Sequence, residues 1–327
     1  MNRTTRSVLS GTGSSLPSRV VPNEEFVGTI ETSDEWIRTR TGIRERRFVG
    51  PGETSASLGI EAARNALHSA RIAPEQIDLI ICATVTPDLM TPANACSIQY
   101  ALGCRQIPAF DLAAACTGFL YALSVADQYI RAGTAKNVLV VGTEVLSKAM
   151  DLTDRNTCIL FGDGAGAVVL SAMEKTERGI HAVRLFSDGA SQHQIKVPSM
   201  VTPPSMTGEP LSPWLKMNGR EVFRFAVCRM IELIEDAQIE VQRIGKRIDM
   251  LIPHQVNQRI IDAALESTDF PADRVMINLD RYGNTSAASV PIALDEAIGE
   301  GRAKSGDTVL LVAFGGGLTW GSALLTL

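Results

Sequence analysis

A cysteine with small neighbours stands where a strand-like pattern changes into a helix-like one, in the segment Ala113–Phe119. Small residues before Cys116 let the backbone turn sharply, and apolar residues follow at helical spacing. A thiol at the start of a helix faces unpaired N–H groups and the positive end of the helix dipole, which favour its thiolate. The pattern predicts a nucleophile at Cys116, and on this segment alone it fits a buried structural thiol equally well.

A histidine directly follows the apolar run Met250–Pro253. Proteins of the α/β class place their sites at the carboxyl edge of buried strands, so this position favours a functional imidazole at His254. Isolated histidines are more often structural. The other three, His68, His181 and His193, lie in ordinary polar or helical sequence, which makes His254 the candidate.

Two further segments could place hydrogen-bond donors beside a reacting group. Asn284, within Arg281–Ser289, is either part of a turn that caps the following helix or an amide donor beside His254. The segment Phe314–Gly321 holds three consecutive glycines after an apolar run. Its backbone N–H groups could form an oxyanion hole, or the segment could be a tight turn.

Two other glycine-rich segments do not fit nucleotide binding. Gly162–Gly166 lacks the third glycine of a dinucleotide-binding loop, and it leads into a strand-like run, Ala167–Leu170, rather than into a helix. Gly11–Gly13 fails the same test. We therefore interpret both segments as packing turns.

The elements that would position these residues form a repeat. Two apolar segments recur at the same offset of 171 residues, which is close to half of the 327-residue chain. The matched segments are Ile77–Ile81 with Ile248–Ile252, and Val138–Gly142 with Val309–Ala313. We predict two halves built on one plan: residues 1–172 with the cysteine, and residues 173–327 with His254, Asn284 and the glycine-rich loop.

Helix-like and strand-like patterns alternate in each half. Helices are predicted at about Ser55–Ala70, Ala93–Leu102, Cys116–Arg131, Val222–Gln238 and Ser286–Ile298. Strands are predicted at Leu79–Ala83, Ala109–Leu112, Asn137–Gly142, Met250–Pro253, Thr308–Phe314 and Gly321–Leu327. Wholly apolar strands are buried on both faces, so the expected fold is α/β, with two mixed sheets and helices stacked as five α-β-α-β-α layers. The segment Pro198–Trp214 lacks periodicity and is expected to be a long loop that acts as a lid or channel wall.

Composition narrows the class of protein. Hydrophobic residues make up 45% and charged residues 20% of the chain, as in folded globular proteins. A formal net charge of −5 argues against nucleic-acid binding through a broad basic surface. The sequence contains no apolar run of membrane-spanning length, no signal-peptide core and no CxxC or zinc-like cysteine spacing. These features predict a cytoplasmic protein with free thiols and no metal site.

Taken together, these segments resemble the thiolase-type condensing enzymes, and most closely the β-ketoacyl-acyl-carrier-protein synthase III family. The resemblance extends over nearly the whole chain, because Thr32–Arg46 and Phe161–Gly166 also match the family pattern. It implies a thiolase-like five-layered fold of two pseudo-repeated halves. It also implies a catalytic set of Cys116, His254 and Asn284.

The same catalytic set separates this chain from other condensing enzymes. Elongating synthases carry a second histidine where Asn284 stands here. Thiolases use a second cysteine near the C-terminal glycines, whereas no cysteine follows Cys228 in this chain. Plant-type polyketide synthases share the Cys-His-Asn set but are usually longer and close with a different glycine pattern.

The resemblance implies an initiating condensing enzyme of type II fatty-acid synthesis that works in two stages. Cys116 would take the acyl group of an acyl-CoA primer, with the backbone N–H groups of Cys116 and Gly316 as the oxyanion hole. His254 and Asn284 would then stabilise the enolate that malonyl-acyl carrier protein forms by losing CO₂, which leads to a 3-oxoacyl-acyl carrier protein. The alternatives are an acyltransferase of secondary metabolism or polyketide priming with the same site, and a non-catalytic scaffold subunit, which the complete catalytic set argues against.

The resemblance also assigns residues to the two carriers. Trp36 and Arg155 would enclose the CoA adenine, and Arg40 would lie near its phosphates; an ordinary half-buried aromatic is the alternative for Trp36. Arg259, with Arg224 as the weaker candidate, would contact the acidic carrier protein, and a solvated helix face is the alternative there. CoA enters as part of a substrate, so no metal or bound cofactor is implied.

The acyl and malonyl pocket is expected to include Thr91, Met217, Phe223 and Phe314. Many relatives have a bulky phenylalanine where this chain has Thr91, and in the family that side chain reaches the acyl pocket of the neighbouring subunit. The resemblance therefore implies a homodimer. It also leads to the hypothesis that Thr91 permits primers longer or bulkier than acetyl.

Overall fold

The computed structural model describes residues 5–198 and 212–327, so most of the expected loop Pro198–Trp214 lies outside the described residues. The strands in the described residues are β1 (Thr5–Ser15), β2 (Arg19–Pro22), β3 (Glu45–Phe48), β4 (Leu79–Ala83), β5 (Ala109–Leu112), β6 (Asn137–Val145), β7 (Asp163–Glu174), β8 (Gly179–Ser187), β9 (Ile195–Lys196), β10 (Lys216–Met217), β11 (Met250–Pro253), β12 (Thr308–Gly315) and β13 (Thr319–Thr326). The α-helices there are α1 (Asp34–Thr41), α2 (Ser55–Ala70), α3 (Asn94–Leu102), α4 (Gly118–Arg131), α5 (Gly219–Arg243), α6 (Gln258–Thr268), α7 (Leu279–Tyr282) and α8 (Ser289–Gly299).

Two mixed sheets form the centre of the molecule. The five-stranded sheet has the order β1-β7-β6-β4-β5, with β4 parallel to both of its neighbours. The four-stranded sheet has the order β11-β12-β13-β8, with β11 parallel to β12. The cysteine segment follows β5, the histidine follows β11 and the glycine-rich segment follows β12. All three therefore leave the carboxyl ends of parallel strands, where α/β proteins gather their sites.

Alternate residues along each strand point to opposite faces and divide the core into layers. Leu79 and Ile81 of β4 face a central layer that holds α4 and α8, and Ile252 of β11 enters the same layer from the other sheet. Ile80 of β4 packs against α2 and α3 on one outer side. Leu251 of β11 packs against α5 and α6 on the other. The prediction of five α-β-α-β-α layers is confirmed.

The offset of the sequence repeat is also an offset between equivalent positions in the two sheets. Leu79 pairs with Val138 in the first sheet. Met250 pairs with Val309 in the second, and both partners are displaced by the same 171 residues. The short sequence matches therefore mark the same parallel strand pair built twice.

Several element boundaries differ from the prediction. Helix α5 is longer at both ends than the predicted Val222–Gln238, and β13 begins at Thr319, two residues earlier than expected. β13 is extended because it pairs along its whole length with β12 and β8, contacts that no local pattern reports. The predicted helix Cys116–Arg131 begins as a 3-10 turn, Ala115–Thr117, and becomes α-helical only at Gly118.

Both segments interpreted as packing turns are parts of strands. Gly11–Gly13 lies within β1, and Gly162–Gly166 enters β7 at Asp163. The prediction of turns is therefore wrong for both. Packing still explains the first segment, because a Cβ on Gly11 would lie 2.3 Å from the backbone N of Ala70 in α2. Glycine there lets the helix lie directly on the strand.

Candidate active site

The Cys116 side chain is aimed by a sharp turn between β5 and α4. Ala115, the first residue of the 3-10 turn, has a φ of 47°, a left-handed conformation that non-glycine residues seldom adopt. The end of β12 presses on the same turn. A Cβ on Gly315 would lie 2.8 Å from the backbone N of Cys116, so only glycine allows this approach. The turn is thus fixed from both halves of the chain.

Cys116, His254 and Asn284 line one cavity of about 60 Å³. The first comes from the N-terminal half of the sequence and the other two from the C-terminal half. Most of the remaining wall is apolar and includes Phe161, Leu215, Met217, Val222, Phe225 and Phe314. The three polar side chains selected from the sequence therefore share one apolar chamber.

The hydrogen bonds around His254 lead us to assign its ring proton to Nε2. Its Nδ1 lies 3.0 Å from Ser289 Oγ, and that oxygen already accepts the N–H of Gln255 at 2.7 Å. The single hydroxyl proton of Ser289 is thus available for Nδ1, which leaves the ring proton on Nε2. Nε2 is buried and has no hydrogen-bond partner among the described residues. Burial lowers the pKa of His254 to about 3, so the ring is neutral at neutral pH.

Asn284 is held by a strand-like contact between the two halves. Its N–H donates to the carbonyl of Leu160 at 2.8 Å, and its own carbonyl accepts the N–H of Gly162 at 3.0 Å. The side-chain Oδ1 accepts the N–H of Ser286 at 2.8 Å. Because Oδ1 is occupied in this way, the Nδ2 amino group is the end of the carboxamide that is left for the cavity.

Glycine at position 162 makes that contact between the halves feasible. A Cβ on Gly162 would lie 2.2 Å from the carbonyl oxygen of Tyr282. The segment Phe161–Gly166, which the resemblance singled out without a role, therefore presses the first half of the chain against the loop that carries Asn284. No local sequence pattern indicates this contact, because the two segments are far apart in the chain.

The electrostatics of Cys116 differ from the expectation. Burial raises the pKa of the Cys116 thiol to about 12; the neighbouring Ser286 side chain opposes this shift, and the charge of Glu144 adds to it. The resting site therefore holds a thiol rather than the favoured thiolate expected at a helix start.

Glu144 is a polar residue of the site that the sequence reasoning missed. It is completely buried at the end of β6 and receives hydrogen bonds from the loop after β4 and from Ser286. Burial raises its pKa to about 7. A carboxylate three residues after the apolar run Val138–Val141 was the available signal, because a group buried there needs compensating partners.

The residues expected to hold CoA are gathered outside the chamber. The guanidinium carbon of Arg155 lies 4.8 Å from the ring centroid of Trp36, and that of Arg40 lies 5.3 Å from it. Arg155 also donates to the carbonyl of Glu31 at 2.7 Å. Trp36 is half-buried and both arginines are exposed. The structure thus brings these three side chains together at one aromatic ring.

The remaining predicted residues are placed in different ways. Of the pocket residues, Met217 and Phe314 line the cavity, whereas Phe223 packs among the core residues around α5 and Thr91 is exposed. Two other residues of α5, Val222 and Phe225, line the cavity instead. Arg259 is exposed in the first turn of α6. Arg224 is exposed on α5 and forms a surface ion pair with its own helix.

A cysteine, a neutral imidazole and a carboxamide that converge on one apolar chamber between two repeated halves define a condensing enzyme of the thiolase type. Residues 110–189 match the family model described as 3-oxoacyl-[acyl-carrier-protein (ACP)] synthase III, and residues 240–327 match the model of its C-terminal part. The chain belongs to the 3-oxoacyl-[acyl-carrier-protein] synthase III family. It is an acyltransferase, the initiating condensing enzyme of fatty-acid synthesis.

Individual relatives agree with this assignment over almost the full length. A β-ketoacyl-[acyl-carrier-protein] synthase III of Rhizobium meliloti is 50% identical over 324 residues, which cover 98% of this chain and 99% of the relative. The crystal structure of 3-oxoacyl-[acyl-carrier-protein] synthase III from Aquifex aeolicus is 44% identical with a TM-score of 0.90, covering 98% of this chain and 100% of that one. The priming β-ketosynthase of the R1128 polyketide pathway is 37% identical with a TM-score of 0.88, covering 99% and 96%.

Over residues 5–198 and 212–327, no helix has the length and apolar character that crossing a bilayer requires. In the same part of the chain, no group of three or more His, Cys, Asp or Glu side chains is arranged to hold a metal ion.

Proposed function

We propose that this enzyme joins an acyl-CoA primer to malonyl-acyl carrier protein through an acyl-Cys116 intermediate. The observation that carries the proposal is the convergence of Cys116, the Nε2 of His254 and the carboxamide of Asn284 on one apolar chamber. One nucleophile and two neutral donors suit a reaction that first stores an acyl group and then stabilises an enolate. The products are a 3-oxoacyl-acyl carrier protein, CO₂ and CoA.

In the first stage Cys116 attacks the thioester carbonyl of the primer, and CoA leaves. The backbone N–H groups of Cys116 and Gly316 stabilise the oxyanion of the tetrahedral intermediate. Both residues line the chamber, and the glycine lies directly after the strand that presses on the nucleophile turn. Removal of one such donor typically costs about 3 kcal/mol of transition-state stabilisation.

In the second stage His254 and Asn284 donate hydrogen bonds to the thioester carbonyl of the malonyl group. Two neutral donors stabilise the enolate that remains when CO₂ departs, and the enolate carbon attacks the acyl-cysteine. Phe314 lies edge-on to the His254 ring, with centroids 5.6 Å apart. Its apolar surface disfavours the malonyl carboxylate and not the neutral CO₂, so it favours decarboxylation.

The entrance carries the residues for the two carriers. Trp36 and Arg155 take the CoA adenine between them, which requires their present stacking contact to open, and Arg40 contacts the phosphates. The exposed Arg259 and Arg224 form the local positive region that an acidic carrier protein needs on an enzyme of net charge −5. CoA arrives as part of the primer, and the proposed reaction uses no metal or resident cofactor.

We further propose a cytoplasmic homodimer, each chain dividing into halves at about residues 172 and 173. Its interface is the open edge of β5, which ends the first sheet and has no strand on its outer side among the described residues. Leu89 and Met90 are 57% and 75% exposed, and they line a second cavity of about 980 Å³ together with Ala113 and Ala114, which directly follow β5. Thr91 follows Met90 and reaches the partner's acyl pocket. The free cysteines suit a reducing compartment.

Intact-mass measurement tests the function. The protein is mixed with acetyl-CoA or a longer acyl-CoA, and malonyl-acyl carrier protein is added afterwards. We expect one acyl adduct that Cys116→Ala removes and that malonyl-acyl carrier protein discharges. His254→Ala should still form the adduct but fail to condense. An adduct that persists in Cys116→Ala, or full condensation by His254→Ala, would contradict the proposal.

The R1128 relative supports a second candidate, the priming of polyketide synthesis with the same site. The two candidates differ in the primer and in the carrier protein, not in the chemistry at Cys116. Competition among acyl-CoAs of increasing length separates them, and it also tests Thr91. A sharp preference for acetyl-CoA would contradict the hypothesis that Thr91 admits larger primers.

A further inference from the structure

The thiol of Cys116 must lose a proton when it attacks, and His254 is poorly arranged to take it. In the tautomer assigned above, the ring accepts a hydrogen bond from Ser289 at Nδ1 and carries its own proton on Nε2. Neither ring nitrogen therefore has a free lone pair in the resting site. The burial that keeps the ring neutral also opposes its protonation. The proton needs another acceptor.

A second polar path leads away from the sulfur. Ser286 lines the same chamber as Cys116, and its side chain lowers the pKa of the thiol. The Ser286 hydroxyl donates to Glu144 Oε1 at 3.1 Å. Glu144 is completely buried, and Ser286 is buried beside it. A thiol, a hydroxyl and a carboxylate therefore follow one another across the contact between the two halves.

The carboxylate is held so that this path stays aligned. Its Oε2 accepts the Thr86 hydroxyl at 2.6 Å and the N–H groups of Thr86 and Val85 at 3.1 Å each. The Thr84 hydroxyl adds a longer contact of 3.3 Å. These donors come from the loop after β4 and hold Oε2, while Oε1 faces Ser286. Val85 also lines the chamber, so the loop connects the carboxylate to the acyl-binding wall.

We propose that Glu144 accepts the Cys116 proton through the Ser286 hydroxyl during acylation; this inference rests on the proposed function. The thiol proton passes to Ser286 Oγ while the hydroxyl proton of Ser286 passes to Glu144 Oε1. The sulfur forms its bond to the acyl carbon, the bond from that carbon to the CoA sulfur breaks, and CoA leaves as a thiolate. In condensation the enolate forms the new carbon–carbon bond and the bond to Cys116 breaks. Glu144 then returns the proton to the thiolate through Ser286.

The charges at the site agree with this path. Charged Glu144 raises the pKa of the Cys116 thiol, and it raises the pKa of the neighbouring Cys82 in the same way. Transfer of the proton to Glu144 removes its negative charge as the thiolate forms. Burial brings the pKa of Glu144 to about 7, so the carboxylate is able to take a proton and return it near neutral pH.

The test is the pH dependence of Cys116 acylation between pH 5.5 and 9, followed by rapid quenching and intact mass. The wild-type rate is expected to rise to a plateau above about pH 7. Glu144→Gln keeps the shape of the side chain but cannot accept the proton. We expect it to acylate about 100-fold more slowly at pH 7.5, with a rate that rises about tenfold per pH unit instead of reaching a plateau.

Two further variants separate proton transfer from structure. Ser286→Ala breaks the path at its middle and should reproduce the Glu144→Gln profile; alanine fits the turn, because Ala115 adopts the same left-handed backbone in the equivalent position. Ser7→Ala removes a buried hydroxyl-to-carboxylate hydrogen bond of the same kind, to Asp127 at 2.7 Å, outside the proposed path, and it should keep the wild-type plateau. If Glu144→Gln does not fold, as judged by circular dichroism, Ser286→Ala decides alone.

A folded Glu144→Gln protein with the wild-type rate and plateau would overturn the relay, as would loss of the plateau in Ser7→Ala. Alkylation of Cys116 by iodoacetamide over the same pH range gives a readout that does not depend on acyl-CoA. If the wild type forms no acyl adduct, the proposed function fails while alkylation still tests the relay. If the wild type acylates and all variants share its profile, only the relay fails.

Discussion

Two turns at the centre of the molecule have the same backbone conformation but different functional side chains. Residues 115–117 and 286–288 each form a 3-10 turn that leads directly into a helix of the central layer. Each begins with a left-handed residue, Ala115 at a φ of 47° and Ser286 at a φ of 49°. The two turns are 171 residues apart, the offset of the strand repeat. The repeat therefore extends to the turn that aims the nucleophile.

The two turns carry different side chains at equivalent positions. The second position is Cys116 in the first turn and the buried Ala287 in the other. Around the second turn stand the polar groups: Asn284 before it, Ser286 within it and Ser289 after it. A duplicated backbone thus places two similar turns face to face. One supplies the nucleophile, and the residues in and around the other supply hydrogen-bonding groups.

Moving the nucleophile from one turn to the other gives the largest expected effect. We predict that Cys116→Ala combined with Ala287→Cys forms no acyl adduct. The reason is that Ala287 is 1% exposed and packs near Gly118 rather than lining the chamber. Intact mass after mixing with acyl-CoA measures the result. Ala287→Cys alone is the control and should keep the adduct; acylation of the double variant would show that the two turns are interchangeable.

Removal of the Ser289 hydroxyl, at the start of α8, should reduce activity less than moving the nucleophile does. Ser289→Ala should reduce the rate of condensation about tenfold while the acylation of Cys116 stays near the wild-type rate. The cause is that Nδ1 of His254 loses its donor, so part of the population carries its proton on Nδ1 and cannot donate from Nε2. A buried polar group left without a partner costs about 1–3 kcal/mol. Equal losses in both stages would indicate a general structural role for Ser289 instead.

His254 and Glu144 should make the free energy of unfolding depend on pH in opposite directions. His254 binds a proton below about pH 6.5 when unfolded but only near pH 3 when folded, so its contribution to stability is lost as the pH falls. Between pH 6.5 and 5, wild type should lose about 2 kcal/mol relative to His254→Gln. Chemical denaturation at each pH measures this difference. An unchanged difference would mean that the folded protein protonates His254 as readily as the unfolded chain.

Glu144 in the first half has the reverse sign. Its pKa is 4.5 in a model compound and about 7 when folded, so the folded state holds a proton that the unfolded chain has lost. Its contribution to stability should therefore fall as the pH rises from about 4.5 to about 7. The same denaturation series with Glu144→Gln as the reference checks this direction. A rise over that range would contradict the assigned burial effect.

Local sequence patterns predict most of the strands, helices and catalytic residues. They miss the residues whose roles depend on contacts between distant parts of the chain. The apolar strands and the helix faces were readable from the sequence because they depend on near neighbours. Cys116, His254 and Asn284 were readable because each follows a strand or turn signal. Glu144 and Ser289 were not predicted, since their roles depend on hydrogen bonds to residues 142 and 35 positions away.

Two aspartates, one before each of the repeated strand pairs, differ in the number of backbone hydrogen bonds that they accept. The smallest effect is expected from replacing them. Asp78 and Asp249 stand at equivalent positions, and each backbone N–H donates to the neighbouring strand. The carboxylate of Asp78 accepts two backbone N–H groups, from Lys136 at 2.8 Å and Asn137 at 3.1 Å. That of Asp249 accepts one, from Thr308 at 2.9 Å. The first half thus uses one more hydrogen bond at the same place.

Because Asp78 accepts one more backbone hydrogen bond than Asp249, its replacement should destabilise the protein more. Burial acts to raise the pKa of Asp78, but its hydrogen bonds outweigh burial and hold that pKa below the ordinary value. The stability it adds is therefore present above about pH 4 and lost as the pH falls further. At pH 7, Asp78→Asn should cost about 1–2 kcal/mol in the free energy of unfolding, and Asp249→Asn about half as much. Equal losses would show that position in the repeated sheet matters more than the number of hydrogen bonds formed there.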